Sequence, residues 1–309
     1  MNRRTFNRIV LTSITGAFVA PNLGFAASAN KHRIKLGGPV LENYESPEQW
    51  IKALNKRAYL AAYCPVSPGT DSLTIKAYKT AAAQSNIIIS EVGAWSNPID
   101  PDDSKAREAI DKCIHSLELA EEIGARCCVN ISGSRNPDKW AGPNEDNLTD
   151  DTFDLIVETT RKIIDAVKPS QTYYSLETMP WSYPDSVDSY VKLVKAIDRK
   201  GFAVHFDPVN LVSSPQIYFN NGAMIAEAFK KLGHKIKSCH AKDILLRDDV
   251  YTPFLPEVRP GLGKLNYKVF LSELSKLADV PLMMEHLDTE EEYKMAANYI
   301  RNVEKEMDS

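Results

Sequence analysis

The sequence contains little cysteine, and its cysteines are not spaced as metal or redox pairs. The 309 residues include no Cys-x-x-Cys pair, and the cysteines are Cys64, Cys113, Cys127, Cys128 and Cys239. An odd number excludes a framework in which every cysteine is bridged, and the missing pair argues against a zinc knuckle or a dithiol site. The pattern suits a chain that folds in the cytoplasm, where thiols stay reduced.

Three further features are missing. No Gly-x-Gly-x-x-Gly follows the first predicted strand, so the dinucleotide-binding fingerprint is absent. After the N-terminal region, no segment is long and apolar enough for stable membrane insertion. Basic residues are outnumbered by acidic ones, 37 to 41, and the net charge of −4 argues against a nucleic-acid partner.

The N-terminus has the pattern of a secretory signal. Arg3 and Arg4 precede an uncharged, mostly apolar run over 9–20, and Ala-Ser-Ala at 27–29 offers a cleavage site. The Arg-Arg-x-Phe pattern resembles a twin-arginine signal, which implies the twin-arginine export machinery as a partner and a bacterial periplasmic location. A disordered basic tail or a membrane anchor is the alternative. Removal of residues 1–29 would change the net charge to −7, because they contain three arginines and no acid.

Strand and helix patterns alternate eight times after this signal. Short apolar, β-rich runs predict strands at 34–40, 58–66, 87–92, 126–132, 173–178, 202–206, 236–240 and 280–285. Amphipathic patterns predict helices near 48–56, 71–85, 104–123, 150–168, 184–199, 217–232, 267–277 and 289–305. We therefore expect residues 30–309 to form one α/β domain, a (β/α)8 TIM barrel, rather than an open doubly wound sheet.

Loop lengths indicate which face of the barrel carries function. Connections from helix to strand are short, whereas long connections follow the strands at 96–103, at 133–147 and over about twenty residues from Ile244. In barrels of this type the loops after the strands build the active site.

An ionisable residue ends each of four successive predicted strands. These residues are Glu177, Asp207, His240 and Glu285. Any one of them could be an ordinary capping or salt-bridged residue. If the barrel closes, however, three carboxylates converge, and their repulsion calls for a cation. Three oxygen ligands with one imidazole suit Mn²⁺, Co²⁺ or Mg²⁺.

Two further motifs, His-Ala-Lys-Asp at 240–243 and Pro-Gly-Leu-Gly at 260–263, accompany these four strand ends. Through these residues the chain resembles the xylose isomerase-like barrel superfamily. It includes sugar-phosphate isomerases and epimerases, ketose 3-epimerases, inosose dehydratases and the endonuclease IV group. The resemblance extends from about Ile34 to the C-terminus. It implies one divalent ion, with Mn²⁺ or Co²⁺ favoured and Mg²⁺ or Zn²⁺ as alternatives. The ligands it implies are Glu177, Asp207, His240 and Glu285.

The resemblance also implies a reaction. Glu177 and Glu285 would exchange a proton with a small carbohydrate beside its carbonyl group, through an enediolate. The leading hypothesis is thus a metal-dependent sugar isomerase or epimerase. A lyase or dehydratase that continues to β-elimination on a keto-sugar or keto-glycoside is the alternative, and a non-catalytic sugar-binding protein is a further one.

Departures from the family pattern limit these hypotheses. Epimerases carry a histidine three residues after the aspartate ligand, where this chain has Asn210, so epimerase-style handling of a hydroxyl is in doubt. Endonuclease IV enzymes need extra histidines from the first strands, but residues 33–114 contain none.

Further residues are predicted to contact the substrate. Lys242, two residues after His240, is a third catalytic candidate, because it could protonate or bind a substrate oxygen. The predicted substrate-binding residues are Glu91, Trp95, Asn130, Trp181, His205, Asn210, Arg247 and Arg259. The sequence is compatible with a homo-oligomer and leaves the sugar open.

Overall fold

A ring of parallel strands forms the centre of the protein. The computed structural model describes residues 32–308, so the predicted signal peptide at 1–29 lies outside the described residues. The strands are β1 (Lys35–Gly37), β2 (Ala61–Ala62), β3 (Ile88–Ile89), β4 (Glu91–Gly93), β5 (Cys127–Asn130), β6 (Tyr174–Glu177), β7 (Phe202–Phe206), β8 (Ile236–Ala241), β9 (Asp243–Ile244), β10 (Glu257–Val258) and β11 (Pro281–Met284). Nine of them form one sheet in the order β3-β2-β1-β11-β8-β7-β6-β5-β4, and β9 pairs with β10 as a separate antiparallel hairpin.

The first and last strands of that order belong to one segment of the chain. Only Ser90 separates β3, which pairs with β2, from β4, which pairs with β5. The sheet therefore closes on itself through eight chain segments, which confirms the predicted α/β TIM barrel. Most observed strands are shorter than predicted. Ile34 and Val40, for example, pack in or against the core but lie outside β1, so their apolar character does not mark the ends of the strand.

Helices cover the outside of the ring. They are α1 (Pro47–Lys56), α2 (Ser72–Gln84), α3 (Asp103–Ile123), α4 (Asp150–Val167), α5 (Val187–Ile197), α6 (Pro215–Phe219), α7 (Asn221–Leu232), α8 (Tyr267–Leu274) and α9 (Glu290–Asp308). Each predicted helix is present, but the one expected at 217–232 is divided at Asn220, whose backbone (φ −126°, ψ 23°) is not helical. Within residues 32–308, none of the helices combines the length and apolar character needed to cross a bilayer.

Capping residues define the ends of the helices. Asp71 and Asp102 directly precede α2 and α3, and their carboxylates accept hydrogen bonds from backbone amides of the first turn. Gly124 ends α3 in a left-handed conformation (φ 79°), which reverses the chain directly into β5. The face at the carboxyl ends of the strands keeps the long loops.

Asp243 anchors the longest of these loops. Its buried carboxylate accepts hydrogen bonds from the backbone amides of Gly261 (2.9 Å), Gly263 (3.0 Å) and Leu265 (2.9 Å). A Cβ atom at Gly263 would lie 2.3 Å from Oδ1 of Asp243, so only glycine fits there. The Asp of His-Ala-Lys-Asp thus holds the Pro-Gly-Leu-Gly turn and, with it, the end of the loop that forms the β9–β10 hairpin.

Candidate metal centre

The four side chains predicted as metal ligands lie together at the carboxyl ends of neighbouring strands. Glu177 ends β6 and Asp207 follows β7. His240 lies in β8, and Glu285 follows β11. One ligand atom from each lies within 4.8 Å of those of the other three. His240 Nδ1 is 2.9 Å from Glu177 Oε1 and 3.0 Å from Glu285 Oε1.

The far side of the His240 ring is held by Glu91. His240 Nε2 lies 3.1 Å from Glu91 Oε1, and the hydroxyl of Ser238 donates to Glu91 Oε2 over 2.7 Å. A carboxylate that is hydrogen-bonded to one imidazole nitrogen orients the ring, and the other nitrogen can then bind a metal ion. Glu91 is 1% exposed and lies below the cluster, so it is placed to support His240 rather than to contact substrate as predicted.

His205 also lies below the cluster. Its ring packs edge-on against His240 with centroids 4.1 Å apart, and neither ring nitrogen has a hydrogen-bond partner. Burial lowers its pKa to about 4, aided by the nearby charge of His240, so the imidazole is neutral at physiological pH. The side chain is fully buried in the barrel interior and does not line the cavity described below, and its contact with substrate stays a prediction.

Lys242 provides positive charge among the carboxylates. Its Nζ lies 2.5 Å from Asp207 Oδ2, 2.9 Å from Glu285 Oε1 and 3.4 Å from Glu257 Oε2. Burial alone would lower the pKa of Lys242, but Asp207, Glu285 and Glu177 raise it well above its usual value. The ammonium is therefore charged, and with a side chain only 3% exposed it depends on these carboxylates for its stability.

The carboxylates differ in their protonation. Burial raises the pKa of Asp207 to about 7, in spite of Lys242. Burial also acts on Glu177 and Glu285, but the charges of His240 and Lys242 outweigh it, so the pKa of Glu177 falls to about 2 and that of Glu285 falls well below its usual value. Both glutamates are thus ionised at neutral pH.

The cluster fits a divalent cation. Asp207 Oδ2 and Glu285 Oε1 are buried, and the Lys242 ammonium is the cation beside both of them, so these two oxygens already hold positive charge where an ion would bind. Three carboxylates and one imidazole form a donor set that suits Mn²⁺, Co²⁺ or Mg²⁺. The residues that would hold the ion are Glu177, Asp207, His240 and Glu285.

A cavity of about 590 Å³ opens above the cluster. It is lined by Pro39, Tyr63, Trp95, Ile131, Trp140, Ala141, Glu177, Met179, Trp181, Asn210, Lys242, Glu257, Glu285, His286 and Tyr293. The amide of Asn210 donates to Glu177 Oε1 over 3.3 Å, and its Oδ1 accepts from Lys242 over 3.4 Å. Glu177 and Glu285 thus belong to the cluster and also face the space where a small molecule would bind.

Residues 57–303 match the sequence profile of the Xylose isomerase-like TIM barrel family. The chain belongs to this family. Among curated proteins, no sequence matches the chain significantly.

Solved structures with the fold of this xylose isomerase-like barrel have different activities in their names. D-psicose 3-epimerase from Clostridium cellulolyticum has a TM-score of 0.65 and 14% identity, over 90% of this chain and 99% of that one. The probable 3-DHS dehydratase AsbF from Bacillus anthracis has a TM-score of 0.63 and 13% identity, over 88% of this chain and 99% of that one. Endonuclease IV from Thermus thermophilus has a TM-score of 0.67 and 13% identity, over 88% of this chain and 98% of that one. The TM-scores establish the shared fold, and identities this low carry no information on a shared activity.

Three predicted substrate contacts of this xylose isomerase-like barrel lie outside the cavity. Asn130 is buried, and its amide bonds both the backbone N–H and C=O of Ser96 (3.0 and 3.2 Å), so it holds the loop after β4. Arg247 is exposed and pairs with Asp249 (Nε to Oδ1, 2.8 Å). Arg259 donates to the carbonyl of Pro260 over 3.3 Å. Each of these three side chains is thus engaged by backbone or side-chain atoms away from the cavity, and their contacts with substrate stay predictions.

Five polar or aromatic residues of the cavity, among them Tyr293 of α9, were not among the predicted site residues. Tyr63 follows β2, and His286 follows Glu285. Trp140 and Glu257 lie within long loops, and Glu257 contacts His286 Nδ1 over 3.1 Å. The long loops could have drawn attention to these two, but no periodic pattern marks one residue of a loop as facing inward.

Proposed function

We propose that this protein is a metal-dependent sugar isomerase or epimerase that moves a proton beside a carbonyl group. The observation that carries the proposal is the placement of Glu177 and Glu285, which both contact His240 in one cluster and both line the cavity. A divalent ion held by the four ligands would supply Lewis-acid polarisation of the substrate carbonyl. Mn²⁺ or Co²⁺ is favoured, and Mg²⁺ or Zn²⁺ is the alternative.

The ionised glutamates provide the base. One carboxylate takes the proton from the carbon beside the carbonyl, and the electron pair of that C–H bond moves into the new enediolate. Return of the proton to the neighbouring carbon, with transfer of the hydroxyl proton to the former carbonyl oxygen, gives an isomer. An epimer needs a different proton, delivered to the opposite face of the same carbon, and Lys242, 2.9 Å from Glu285 Oε1, can supply it through that carboxylate. Both glutamates start ionised, as their lowered pKa values require, so either can act as the base.

Lys242 and Asn210 complete the proposed machinery. The Lys242 ammonium lies 2.9 Å from Glu285 Oε1, where it can hold a substrate oxygen or transfer a proton to it. Asn210 contacts Glu177 and carries no titratable proton, so it is assigned to hydrogen bonding of a hydroxyl group.

A lyase is the second candidate, and one observation favours it. Glu257 and His286 form a pair over 3.1 Å at the cavity wall, outside the proposed ligand set. Elimination needs a proton for the departing oxygen as well as a base for the C–H bond, and this pair could supply it. The products would be an unsaturated keto-sugar and the released alcohol or water.

We also propose that the mature protein begins near residue 30 and reaches the bacterial periplasm through the twin-arginine route. The support for this location is the Arg-Arg-x-Phe pattern, the apolar run and the Ala-Ser-Ala site of residues 1–29.

Proton exchange with solvent tests the proposed function. Purified protein is analysed for metal and then incubated with a panel of keto-sugars and keto-glycosides in D₂O, followed by NMR. We expect deuterium at the carbon beside the carbonyl, and Glu285→Gln should slow its incorporation at least about a hundredfold. Glu291→Gln, on the exposed side of α9, is the matched control.

The products distinguish the candidates. Deuterium without loss of a group supports the isomerase or epimerase, whereas an unsaturated product supports the lyase. Metal-loaded protein that binds sugars but exchanges no proton on any of them would overturn both and leave a sugar-binding protein.

A further inference from the structure

Three of the four tryptophans line the cavity. Trp95, Trp140 and Trp181 are 37%, 49% and 37% exposed, whereas Trp50 is buried in the core against α2. Single exposed aromatic side chains are ordinary, but a cluster of them around one opening marks a binding surface. Their concentration around one opening indicates a ligand with flat apolar faces.

The tryptophans stand at two levels. Trp95 is the inner one, because its ring centroid lies 6.5 Å from that of His240. Its ring packs directly on Gly93, where a Cβ atom would lie 2.2 Å from the indole nitrogen, so this contact holds the ring in place. Trp181 donates from Nε1 to the carbonyl of Ala141 over 2.9 Å, which ties it to the segment that carries Trp140. We call Trp140 and Trp181 the outer pair.

The charges of the cavity disfavour an anionic ligand. Among its lining residues there is no arginine, and the one lysine, Lys242, is already paired with Asp207 and Glu285. Glu177, Glu257 and Glu285 add negative charge to the wall. A phosphate group is usually bound by arginine, lysine or a helix N-terminus, and here it would face carboxylates instead.

We propose, on the basis of the proposed function, that the substrate is an uncharged, unphosphorylated carbohydrate of at least two rings. The reacting ring lies beside Trp95 over the carboxylate cluster, and the second ring or aromatic aglycone stacks on the outer pair. Sugar rings expose C–H faces that pack on indole faces, while their hydroxyls bind the polar rim. The cavity of about 590 Å³ is large enough for such a ligand.

Equilibrium binding tests the inference without relying on turnover. Metal-loaded protein is titrated calorimetrically with glucose, with glucose 6-phosphate and with neutral disaccharides and glucosides (cellobiose, maltose, sucrose and phenyl β-glucoside). At least one two-ring probe should bind roughly tenfold more tightly than glucose, because stacking on the outer pair adds to the contacts of the inner ring. Glucose 6-phosphate should bind more weakly than glucose.

Variants separate stacking from general damage. Trp140→Ala and Trp181→Ala should each lower the affinity for the two-ring probe roughly fivefold and leave that for glucose within about twofold. Phe219→Ala, an exposed aromatic residue outside the cavity, is the matched control and should change neither affinity. Circular dichroism confirms that each variant is folded.

The outcomes that would overturn the inference are specific. Tighter binding of glucose 6-phosphate than of every neutral probe, or equal losses for glucose and the two-ring probe in the tryptophan variants, would exclude it. Two-ring preference without proton exchange would instead retain the substrate class and reject the proposed reaction. Proton exchange confined to sugar phosphates would retain the proposed reaction and reject the substrate class.

Discussion

The ammonium nitrogen of Lys242 lies 2.5 Å from Oδ2 of Asp207. The same nitrogen is 2.9 Å from Oε1 of Glu285, and both oxygens are buried. Lys242 therefore occupies space next to two of the oxygens that would bind a divalent ion. An ion bound as proposed would compete with Lys242 for these carboxylates, and the ammonium would then have to move toward Glu257 and Asn210.

Replacement of Lys242 by methionine should strengthen metal binding. The variant removes a competing cation and its repulsion of the ion while keeping most of the apolar stem. We expect the affinity for Mn²⁺ to rise roughly tenfold, measured by calorimetry or by the electron paramagnetic resonance of free Mn²⁺. Lys105→Met, on an exposed position of α3, should leave the affinity unchanged. Unchanged or weaker binding in the Lys242 variant would show that the two cations do not compete.

Glu91→Gln should weaken metal binding without removing a ligand. The charge that orients His240 through Nε2 is lost, although a hydrogen bond remains possible. Losses of about 10- to 100-fold in affinity are typical for such supporting carboxylates. Calorimetry with Mn²⁺ measures the effect, and Glu118→Gln on the exposed side of α3 is the control. Wild-type affinity in Glu91→Gln would mean that packing alone positions the imidazole.

Asp243→Ala should destabilise the protein and release the loop after β8. Four amide hydrogen bonds to a buried carboxylate are lost, from Ile244 and from three residues of the loop end, and the donors are left unpaired. We expect a loss on the order of 3 kcal/mol in the free energy of unfolding. Chemical denaturation measures it, and limited proteolysis should cut the loop between Ile244 and Gly263. Resistance of the variant to proteolysis equal to that of wild type would contradict the anchoring role.

Glu121 should make stability depend on acid pH at a site remote from the cluster. Burial would raise its pKa, but the hydroxyl of Ser170 and the backbone amides of residues 170–172 lower it from 4.5 to about 2. A lowered carboxyl pKa contributes stability that is present above 4.5 and is lost as pH falls toward 2.

The Glu121→Gln variant tests this dependence. It should be less stable than wild type at pH 7, and the difference should shrink as pH falls from about 5 to about 2. Denaturation with urea at several pH values gives the comparison. Because Glu118 lies exposed on the same helix, Glu118→Gln should show a pH profile close to that of wild type. A difference for Glu121→Gln that stays constant with pH would refute the electrostatic origin.

The sequence was sufficient to predict the ring and the ends of its strands. Repeated apolar runs with helices between them predict eight β/α units, and a charged residue directly after a buried run is visible without a structure. Glu177 and Glu285 could thus be placed together, because parallel strands of one barrel end on the same face.

Depth inside the barrel could not be predicted in the same way. Alternation along a strand indicates which side a residue faces, and His205 and Asp207 do face the same side. It does not indicate the layer, so His205 and Glu91 were predicted to contact substrate although both lie beneath the cluster. The layer depends on the stagger between strands, which is a property of the closed sheet.

The positions of loop residues were the hardest to predict from the sequence. Arg247 and Arg259 were predicted to reach the cavity from the long loop after β8, but β9 and β10 pair there and turn Glu257 toward Lys242 instead. Which residue of a long loop faces inward depends on contacts with distant segments, such as that between Glu257 and His286.

The bond between Glu91 and His240 spans the barrel. Glu91 belongs to β4 and His240 to β8, four places apart in the order of the sheet, so their side chains meet across its centre. The N-terminal half of the chain therefore orients a ligand set that comes wholly from the C-terminal half. If the centre binds an ion as proposed, its affinity would report on whether the two halves of the barrel have joined, and during folding it should appear only at the step that completes the ring.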